Sequence, residues 1–354
     1  MCKIQCDFKQ IMENLHCVSE QELPDWARPK TSKTPSETKL QLLTAAKKFF
    51  FIIGTSLLAI ASFRNSVTWH FQQFWGASKS LYENIWDLAF HGIFGGHKFL
   101  FATVGINSFL FVYFWLNGLF FLYLDIAKPK FAQKYKVQEV NQLNREKLLK
   151  AIRVCLINQF IALCCSVPLY MLGTLRNVTY EPKELPTFQW VLFELCIFIL
   201  IEEVGFYYSH RAAHHPRIYK HIHKIHHEWT APISIVCIYA HPLEHIFCNV
   251  LPISIGPIIM GSHLATALLW YCITLTSTHI AHGGYHLPFL PSPEAHDYHH
   301  LKFVNNFGTL GVLDRLHGTD NLFIKTKAYD RHIMLLGLAP AKELFPDDKI
   351  IKSK

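Results

Sequence analysis

Long apolar stretches separated by short charged segments dominate this sequence. Residues 99–124 run for 26 positions without Asp, Glu, Lys or Arg, and residues 154–175 run for 22. At 1.5 Å per residue, a helix of either length crosses the roughly 30 Å hydrocarbon core of a bilayer. Residues 49–63 form a shorter apolar run, and residues 186–201 form a fourth that contains Glu194. The pattern predicts four crossings in the first two thirds of the chain.

A fifth apolar stretch, residues 246–278, is too long for one straight crossing. It contains no Asp, Glu, Lys or Arg in 33 positions, and Pro252, Gly256, Pro257 and Gly261 interrupt it near its middle. Proline and glycine favour a bend at this point. We therefore predict a helical hairpin that returns the chain to the side it left, whereas a single tilted span would separate the histidines on either side of it.

Composition agrees with a membrane protein built only of helices. Apolar residues make up 51% of the chain and charged residues 17%, and the mean hydropathy is +0.17, values typical of multi-span proteins. The net charge of +8 does not indicate nucleic-acid binding, because Lys and Arg gather beside the apolar runs. The ten cysteines form no CxxC pair, which argues against a zinc finger or a disulfide framework.

The basic residues predict the orientation. Residues 125–153 contain eight Lys and Arg, whereas residues 65–98 contain two, and the positive-inside rule places the richer loop in the cytosol. The expected organisation, in chain order, is a polar cytosolic region at 1–44, transmembrane helices at 45–185, a histidine-rich domain at 186–320 and a cytosolic tail at 321–354.

Histidines provide the candidate chemistry. Sixteen of the 22 histidines lie between positions 210 and 300, in the clusters HRAAHH, HKIHH and HDYHH and the segments between them. Spacings of three and four residues bring imidazoles to one side of a helix, and one zinc ion needs only four ligands. We predict a site with two metal ions in a helical cap on the cytosolic side. The candidate ligands are His210, His214, His215, His223, His226, His227, His241, His282, His296, His299 and His300.

Two points stay open at this stage. Spacing does not distinguish His214 from His215 as partner of His210, and imidazole suits iron, zinc, copper and nickel. Carboxylates near the clusters are candidates for holding the imidazoles in position. They are Glu203, Glu228, Glu244, Asp297 and Asp314, of which Glu203 and Asp297 are our main candidates.

The motifs HRAAHH, HKIHHEWTAP, YAHPLEH, AHGGYHLPF, AHDYHH and LDRLHGTD resemble those of the fatty acid hydroxylase superfamily. This superfamily of membrane di-metal oxygenases includes sterol C4-methyl oxidases, sterol C5-desaturases and fatty acid 2-hydroxylases. The resemblance covers residues 186–320 and is strongest to the vertebrate proteins with a fatty acid hydroxylase domain. Fatty acid 2-hydroxylases have two histidines separated by three residues in the region that matches His282. Here the residue four positions before His282 is Thr278, so one ligand of that arrangement is missing. His241, in the AHPLE motif shared with sterol oxidases, favours a sterol substrate.

The resemblance implies an enzyme of the endoplasmic reticulum membrane that contains two iron ions, with zinc as an alternative in purified protein. It would use O2 and electrons from NAD(P)H, delivered by cytochrome b5 and its reductase, to oxidise the C4-methyl group of a sterol. A fatty acyl or sphingolipid hydroxylase or desaturase is the alternative within enzymes. Outside enzymes, the alternatives are a histidine-rich metal transporter and a catalytically silent lipid-binding relative.

Overall fold

The computed structural model describes residues 69–70, 73–74, 76, 78–138 and 143–347. The polar region at 1–44 and the apolar run at 49–63, predicted as the first crossing, lie outside these residues. Within the described part the backbone forms helices, turns and loops, and its one β contact is an isolated bridge between Lys136 and Tyr285. The predicted all-helical fold class is confirmed.

Eight helices carry the architecture of the described residues. They are α1 (Lys98–Ala127), α2 (Arg145–Leu175), α3 (Phe188–Ala213), α4 (Pro242–Met260), α5 (Leu264–Gly283), α6 (Glu294–Lys302), α7 (Val312–His317) and α8 (Lys327–Arg331). Short helical turns lie between them, including Leu88–Ile93, His223–Glu228 and Ser234–Ile238. Side-chain caps explain where two long helices begin: Asn144 accepts from the N–H of Lys147, and Thr187 accepts from that of Trp190.

Four of these helices are long and apolar enough to cross a membrane. They are α1, α2, α4 and α5, with 30, 31, 19 and 20 residues. The predicted runs at 99–124 and 154–175 are confirmed, and α2 begins nine residues before its run. The run at 186–201 forms the first part of α3, which is not among the four because Glu194, Glu202 and Glu203 interrupt its apolar stretch.

The predicted hairpin is confirmed, with its bend at one position. Trp270 Nε1 in α5 donates to the carbonyl of Ile253 in α4 at 3.0 Å, so the two helices pack side by side. Pro252 and Pro257 lie within α4, and the chain turns at Gly261, which has φ +62°. A Cβ at Gly261 would lie 2.6 Å from a backbone carbonyl oxygen, so the turn depends on glycine there.

Helix α3 packs against α4 in the opposite direction. A Cβ at Gly205 would lie 3.3 Å from Pro252, and a Cβ at Gly256 would lie 2.9 Å from Phe198. The two glycines therefore allow close approach of the helices. Because α3 ends where α4 begins, the segment between them, residues 214–241, returns to the same end of the bundle.

All the histidine clusters lie at this end, which we call the histidine end. There Lys147 Nζ donates to the carbonyl of Glu228, and Gln138 donates to Asp297. At the opposite end, Trp86 Nε1 donates to the carbonyl of Tyr180, and Leu264 N donates to that of Thr179. The eight basic residues of 125–153 belong to the histidine end, so the clusters share the side of the bundle that is rich in Lys and Arg.

Candidate metal centre

Nine buried or half-buried histidines converge at the histidine end in two groups. In each group one nitrogen from every ring lies within 4.8 Å of the others. The first group contains His210, His214, His223, His227 and His299, and the second contains His226, His282, His296 and His300. All nine are among the ligands expected from the sequence.

Every histidine cluster after the first contributes to both groups. His223 and His227 belong to the first group and His226 to the second, whereas His296 and His300 belong to the second and His299 to the first. On α6, residues four apart face the same way, so His296 and His300 meet one group and His299 the other. The turn at His223–Glu228 is a 3₁₀ helix, and there the tertiary contacts rather than the spacing divide the rings. His226 and His227 are consecutive but belong to different groups, and so are His299 and His300. At these two points the groups are therefore only one peptide unit apart along the chain.

The nitrogens of the first group have the spacing of ligands around one ion. His214 Nε2 lies 2.8 Å from His223 Nε2, 3.2 Å from His227 Nε2 and 3.2 Å from His299 Nε2. Imidazole nitrogens about 2.0–2.1 Å from a metal and about 90–109° apart would be separated by roughly 2.9–3.4 Å. The observed distances match this range closely.

The second group has the same spacing. His282 Nε2 lies 3.4 Å from His226 Nε2 and 3.0 Å from His296 Nε2, which lies 3.2 Å from His300 Nε2. Each group thus offers four or five nitrogen donors, enough for one ion each.

Backbone carbonyls orient five of the nine rings. The Nδ1 atoms of His210, His226 and His299 lie 2.8, 3.1 and 2.6 Å from the carbonyl oxygens of residues 307, 239 and 305. Those of His282 and His300 lie 2.9 and 3.0 Å from the carbonyls of residues 278 and 229. A carbonyl accepts only, so Nδ1 carries the proton and Nε2 presents its lone pair to the centre of the group.

One ring has a carboxylate neighbour instead. His223 Nδ1 lies 2.8 Å from Glu244 Oε1, and both side chains are buried. The two atoms are close, but His223 Nδ1 has no hydrogen bond of good geometry within the described residues. Glu244 therefore places a carboxyl group beside the first group, at the position from which a carboxylate would raise the basicity of a metal-bound imidazole.

The buried rings are neutral. Burial lowers the pKa of His223 to about 3 and that of His226 to about 4. It also lowers the pKa values of His214, His227 and His299 well below their usual range, and neighbouring histidines lower them further. Neutral imidazole is the form that binds metals, and converging lone pairs at these distances repel one another without a cation between them.

The two predicted orienting carboxylates contact other groups instead of imidazoles. Glu203 accepts from the backbone N–H groups of Thr309, Leu310 and Leu313 at 2.8–3.1 Å. It thereby holds the loop whose residue 307 carbonyl orients His210. Its influence on the site is indirect.

Asp297 likewise orients no histidine directly. It accepts from Gln138 Nε2 at 2.7 Å, and burial raises the pKa of its carboxyl group to about 7. This contact joins α6 to the segment after α1, so Asp297 supports the position of the helix that bears His296, His299 and His300.

A buried ion pair holds the end of α5 beside the second group. Lys136 Nζ lies 2.6 Å from Asp125 Oδ1 and donates to the carbonyl of Gly283 at 2.8 Å. Tyr285 also donates to Asp125. Because Gly283 follows His282 directly, the network joins this ligand helix to the end of α1.

Two predicted ligands, His215 and His241, lie outside both groups. Each precedes a proline and caps the start of a helix, which is the short helix Pro216–Tyr219 for His215 and α4 for His241. Their Nδ1 atoms accept from the N–H groups of Arg217 at 3.4 Å and Leu243 at 3.2 Å. The residue before proline adopts extended backbone, which suits an N-cap position. Of the adjacent pair, His214 is the one that joins the first group.

Sequence reasoning named Glu244 only as one of five nearby carboxylates. Its selection needs the tertiary contact with His223, which lies 21 positions earlier. The orienting carbonyls left no signal in the side-chain sequence at all, because any residue type presents the same carbonyl oxygen.

Comparison with known proteins supports the reading of these motifs. The Fatty acid hydroxylase family model matches residues 195–319, which include all nine grouped histidines. Human fatty acid hydroxylase domain-containing protein 2 is 49% identical over 303 residues, covering 84% of this chain and 90% of that protein.

More distant relatives have named reactions. Danio rerio methylsterol monooxygenase 1 is 33% identical, covering 66% of this chain and 82% of that protein. A very-long-chain aldehyde decarbonylase of Oryza sativa subsp. indica is 32% identical, covering 69% of this chain and 89% of that protein. No solved structure matches the chain.

Proposed function

We propose, from the premise that this chain belongs to the fatty acid hydroxylase family, that it is a membrane di-iron oxygenase acting on an apolar lipid. The specific reaction proposed is oxidation of the C4-methyl group of a sterol intermediate. The observation that carries the proposal is the pair of adjacent, buried groups of neutral imidazoles at one end of a bundle of apolar helices.

The residues present fit two metal ions. The first group would be held by His210, His214, His223, His227 and His299, and the second by His226, His282, His296 and His300. Imidazole suits iron, and also zinc, which is the alternative in purified protein. Two iron ions, when bound, would supply the reduction of O2 by two electrons with transfer of one oxygen atom into a C–H bond and release of the other as water.

The protein's own contribution is position and exclusion of water. The carbonyl contacts fix the ring orientations of five histidines, and Glu244, as a carboxylate, would offset part of the positive charge of a metal ion held by neutral ligands. Buried rings such as His299 and His300 keep bulk water from the site. This isolation protects a strongly oxidising reaction from side reactions with solvent.

The other partners follow from the chemistry. Two electrons per turnover require an external donor, for which we propose NAD(P)H acting through cytochrome b5 and its reductase. The excess of Lys and Arg at the histidine end supports a cytosolic position for the metal site, in the endoplasmic reticulum membrane. A methylsterol monooxygenase among the relatives supports a sterol substrate.

The test combines metal analysis with product analysis. Purified full-length protein is expected to contain two iron ions per chain and, with NADPH and the electron donors, to oxidise a 4-methylsterol. His226→Ala and His299→Ala should each abolish turnover while leaving membrane insertion intact. Full activity of both variants would refute the proposal, and absence of bound metal would favour a silent lipid-binding relative.

Lipid profiles of cells lacking the protein separate the substrate classes. Accumulation of 4-methylsterols is expected. A fall in 2-hydroxylated lipids with unchanged sterols would instead support a fatty acyl or sphingolipid hydroxylase, which the same metal site could serve. A metal transporter would give neither change.

A further inference from the structure

The loop between α6 and α7 supplies the orienting carbonyls of two histidines in the first group. The carbonyl oxygen of Asn305 lies 2.6 Å from His299 Nδ1, and that of Phe307 lies 2.8 Å from His210 Nδ1. Both rings are buried. The groups that hold these two peptide units therefore decide the direction in which His210 and His299 present Nε2.

Asp314 holds the peptide unit that orients His210 from its other side. The carbonyl of Phe307 and the N–H of Gly308 belong to one planar trans peptide unit, so they point in opposite directions. Gly308 N donates to Asp314 Oδ2 at 2.7 Å, and Phe307 N donates to Asp314 Oδ1 at 2.8 Å. The carboxyl group therefore fixes the plane of this unit, with its carbonyl directed at His210.

The peptide unit that orients His299 is held through Thr319. The N–H of Asn306, which shares a peptide unit with the Asn305 carbonyl, donates to the carbonyl of Thr319 at 3.0 Å. Thr319 in turn donates twice to Asp314, from its hydroxyl to Oδ1 at 2.6 Å and from its N–H to the main-chain carbonyl at 2.8 Å. Both orienting peptide units therefore depend on one aspartate.

The surroundings of Asp314 suit this role. The residue is 1% exposed. Burial raises the pKa of its carboxyl group, and the hydrogen bonds from Thr319, Gly308 and Phe307 oppose that rise. A carboxylate that accepts from a peptide N–H polarises the peptide unit, which strengthens the hydrogen bond that the carbonyl accepts. Asp314 can thus act on His210 as a directly bonded carboxylate acts on a metal-bound imidazole, but across one peptide unit.

We infer that Asp314 is a positioning residue for the first metal ion, acting on His210 and His299 through two peptide units. The inference rests on the metal centre of the proposed function, and it adds the residue that directs two of its ligands. The carbonyls that orient three rings of the second group belong to residues 229, 239 and 278, outside this loop. A change at Asp314 should therefore affect the first ion alone.

Metal titration of single variants tests the inference. Metal-free full-length protein in nanodiscs is titrated with cobalt(II), whose visible absorption reports the coordination of each bound ion. His210→Ala and His282→Ala identify the absorption changes that belong to the first and second groups. Asp314→Asn replaces an acceptor oxygen by a donor that faces an N–H or hydroxyl donor. It should weaken cobalt binding in the first group about 10–100-fold and leave the second group unchanged.

Asp320→Asn is the matched control for the loss of a carboxylate. Asp320 belongs to the same LDRLHGTD segment and is also buried, but its carboxylate accepts from Arg315 Nε at 2.6 Å. This variant should bind both ions like the unmodified protein. A general loss of stability in Asp314→Asn would weaken both groups, whereas a positioning role changes the affinity and absorption of the first group only.

A pair of glycine substitutions moves the peptide unit without changing the carboxylate. A Cβ at Gly308 would lie 3.0 Å from Asp314 Oδ2 and 3.0 Å from Glu203 Oε1, whereas a Cβ at Gly337 would meet nothing within 4 Å. Gly308→Ala should displace the peptide unit from the carboxylate and weaken the first group at least about tenfold. Gly337→Ala should leave both groups unchanged.

The possible failures are separable. Unchanged cobalt binding by Asp314→Asn, equal weakening of the two groups, or the same loss in Asp320→Asn would each overturn the inference and leave the metal centre standing. Unchanged binding by Gly308→Ala would likewise overturn it. Failure of the unmodified protein to bind two ions would overturn the proposed metal centre, and the inference with it.

Discussion

Replacing His214 or His215 separately is the sharpest test of the metal centre, because these neighbours have opposite environments. His214 is buried, and its Nε2 lies within 3.2 Å of the Nε2 atoms of His223, His227 and His299. His215 is exposed, and its ring accepts only a 3.4 Å hydrogen bond from a backbone N–H. Sequence spacing alone treats the two residues as equivalent.

The expected magnitudes differ by much more than experimental error. Changes to residues that merely orient a ligand lower metal affinity about 10–100-fold, so His214→Ala, which removes a donor, should lower it by more than about 100-fold. His215→Ala loses a weak N-cap, worth about 0.5 kcal/mol at the low end of measured caps. That loss corresponds to a fall in melting temperature of at most about 2 °C.

The assay measures metal ions per chain, turnover and melting temperature on the same preparations. His214→Ala should lose about one metal ion and nearly all turnover, whereas His215→Ala should keep both. Retention of two metal ions and full turnover by His214→Ala would refute our assignment of the first group. Loss of a metal ion from a well-folded His215→Ala protein would refute it equally.

Three further predictions address the surroundings of the site. Glu244→Gln should lower metal affinity about 10–100-fold through His223. Its control is Glu228→Gln, which alters a partly exposed carboxylate paired with a lysine and should leave metal affinity unchanged. Equal metal titrations of the two variants would contradict the role of Glu244. Gly261→Ala should destabilise the protein by the roughly 1–2 kcal/mol of left-handed strain and, in addition, by a clash with a carbonyl oxygen. Gly311→Ala, which has a similar φ but open space around the added Cβ, should cost the strain alone. Identical thermal unfolding of the two variants would show that the turn at Gly261 is not tightly packed. Removal of metal by a chelator should lower the melting temperature, because ions that bind only the folded protein stabilise it. Re-addition of iron should restore the original value. An unchanged melting curve with metal verifiably removed would contradict a preformed site.

Much of the architecture was predictable from local pattern. The apolar runs at 99–124 and 154–175 exceed the length of a bilayer core, and they became α1 and α2. The hairpin followed from the length of residues 246–278 and the need to bring the clusters together. Which of the four residues named there forms the turn did not follow, because Pro252 and Pro257 lie within α4 and Gly261 is the one that adopts the left-handed backbone.

The candidate site divides in the same way. Nine of the eleven histidines expected as ligands lie in the two groups, because helical spacing of imidazoles is a strong local signal. His215 and His241 share the residue type but precede prolines, and a cap at the helix start uses their Nδ1 atoms. The placement of His226 in the second group, while His223 and His227 belong to the first, required the fold. Spacing along the chain does not show which metal group each ring of this turn contacts.

What the sequence determined by itself is therefore the helical membrane fold, the supply of imidazoles and the end of the bundle that holds them. These properties depend on length, polarity and periodicity, which are local. Only the tertiary structure decided how the histidines divide between the two groups and that Glu244 contacts His223. Those outcomes depend on which surfaces of distant segments meet, and no local pattern along one chain specifies that meeting.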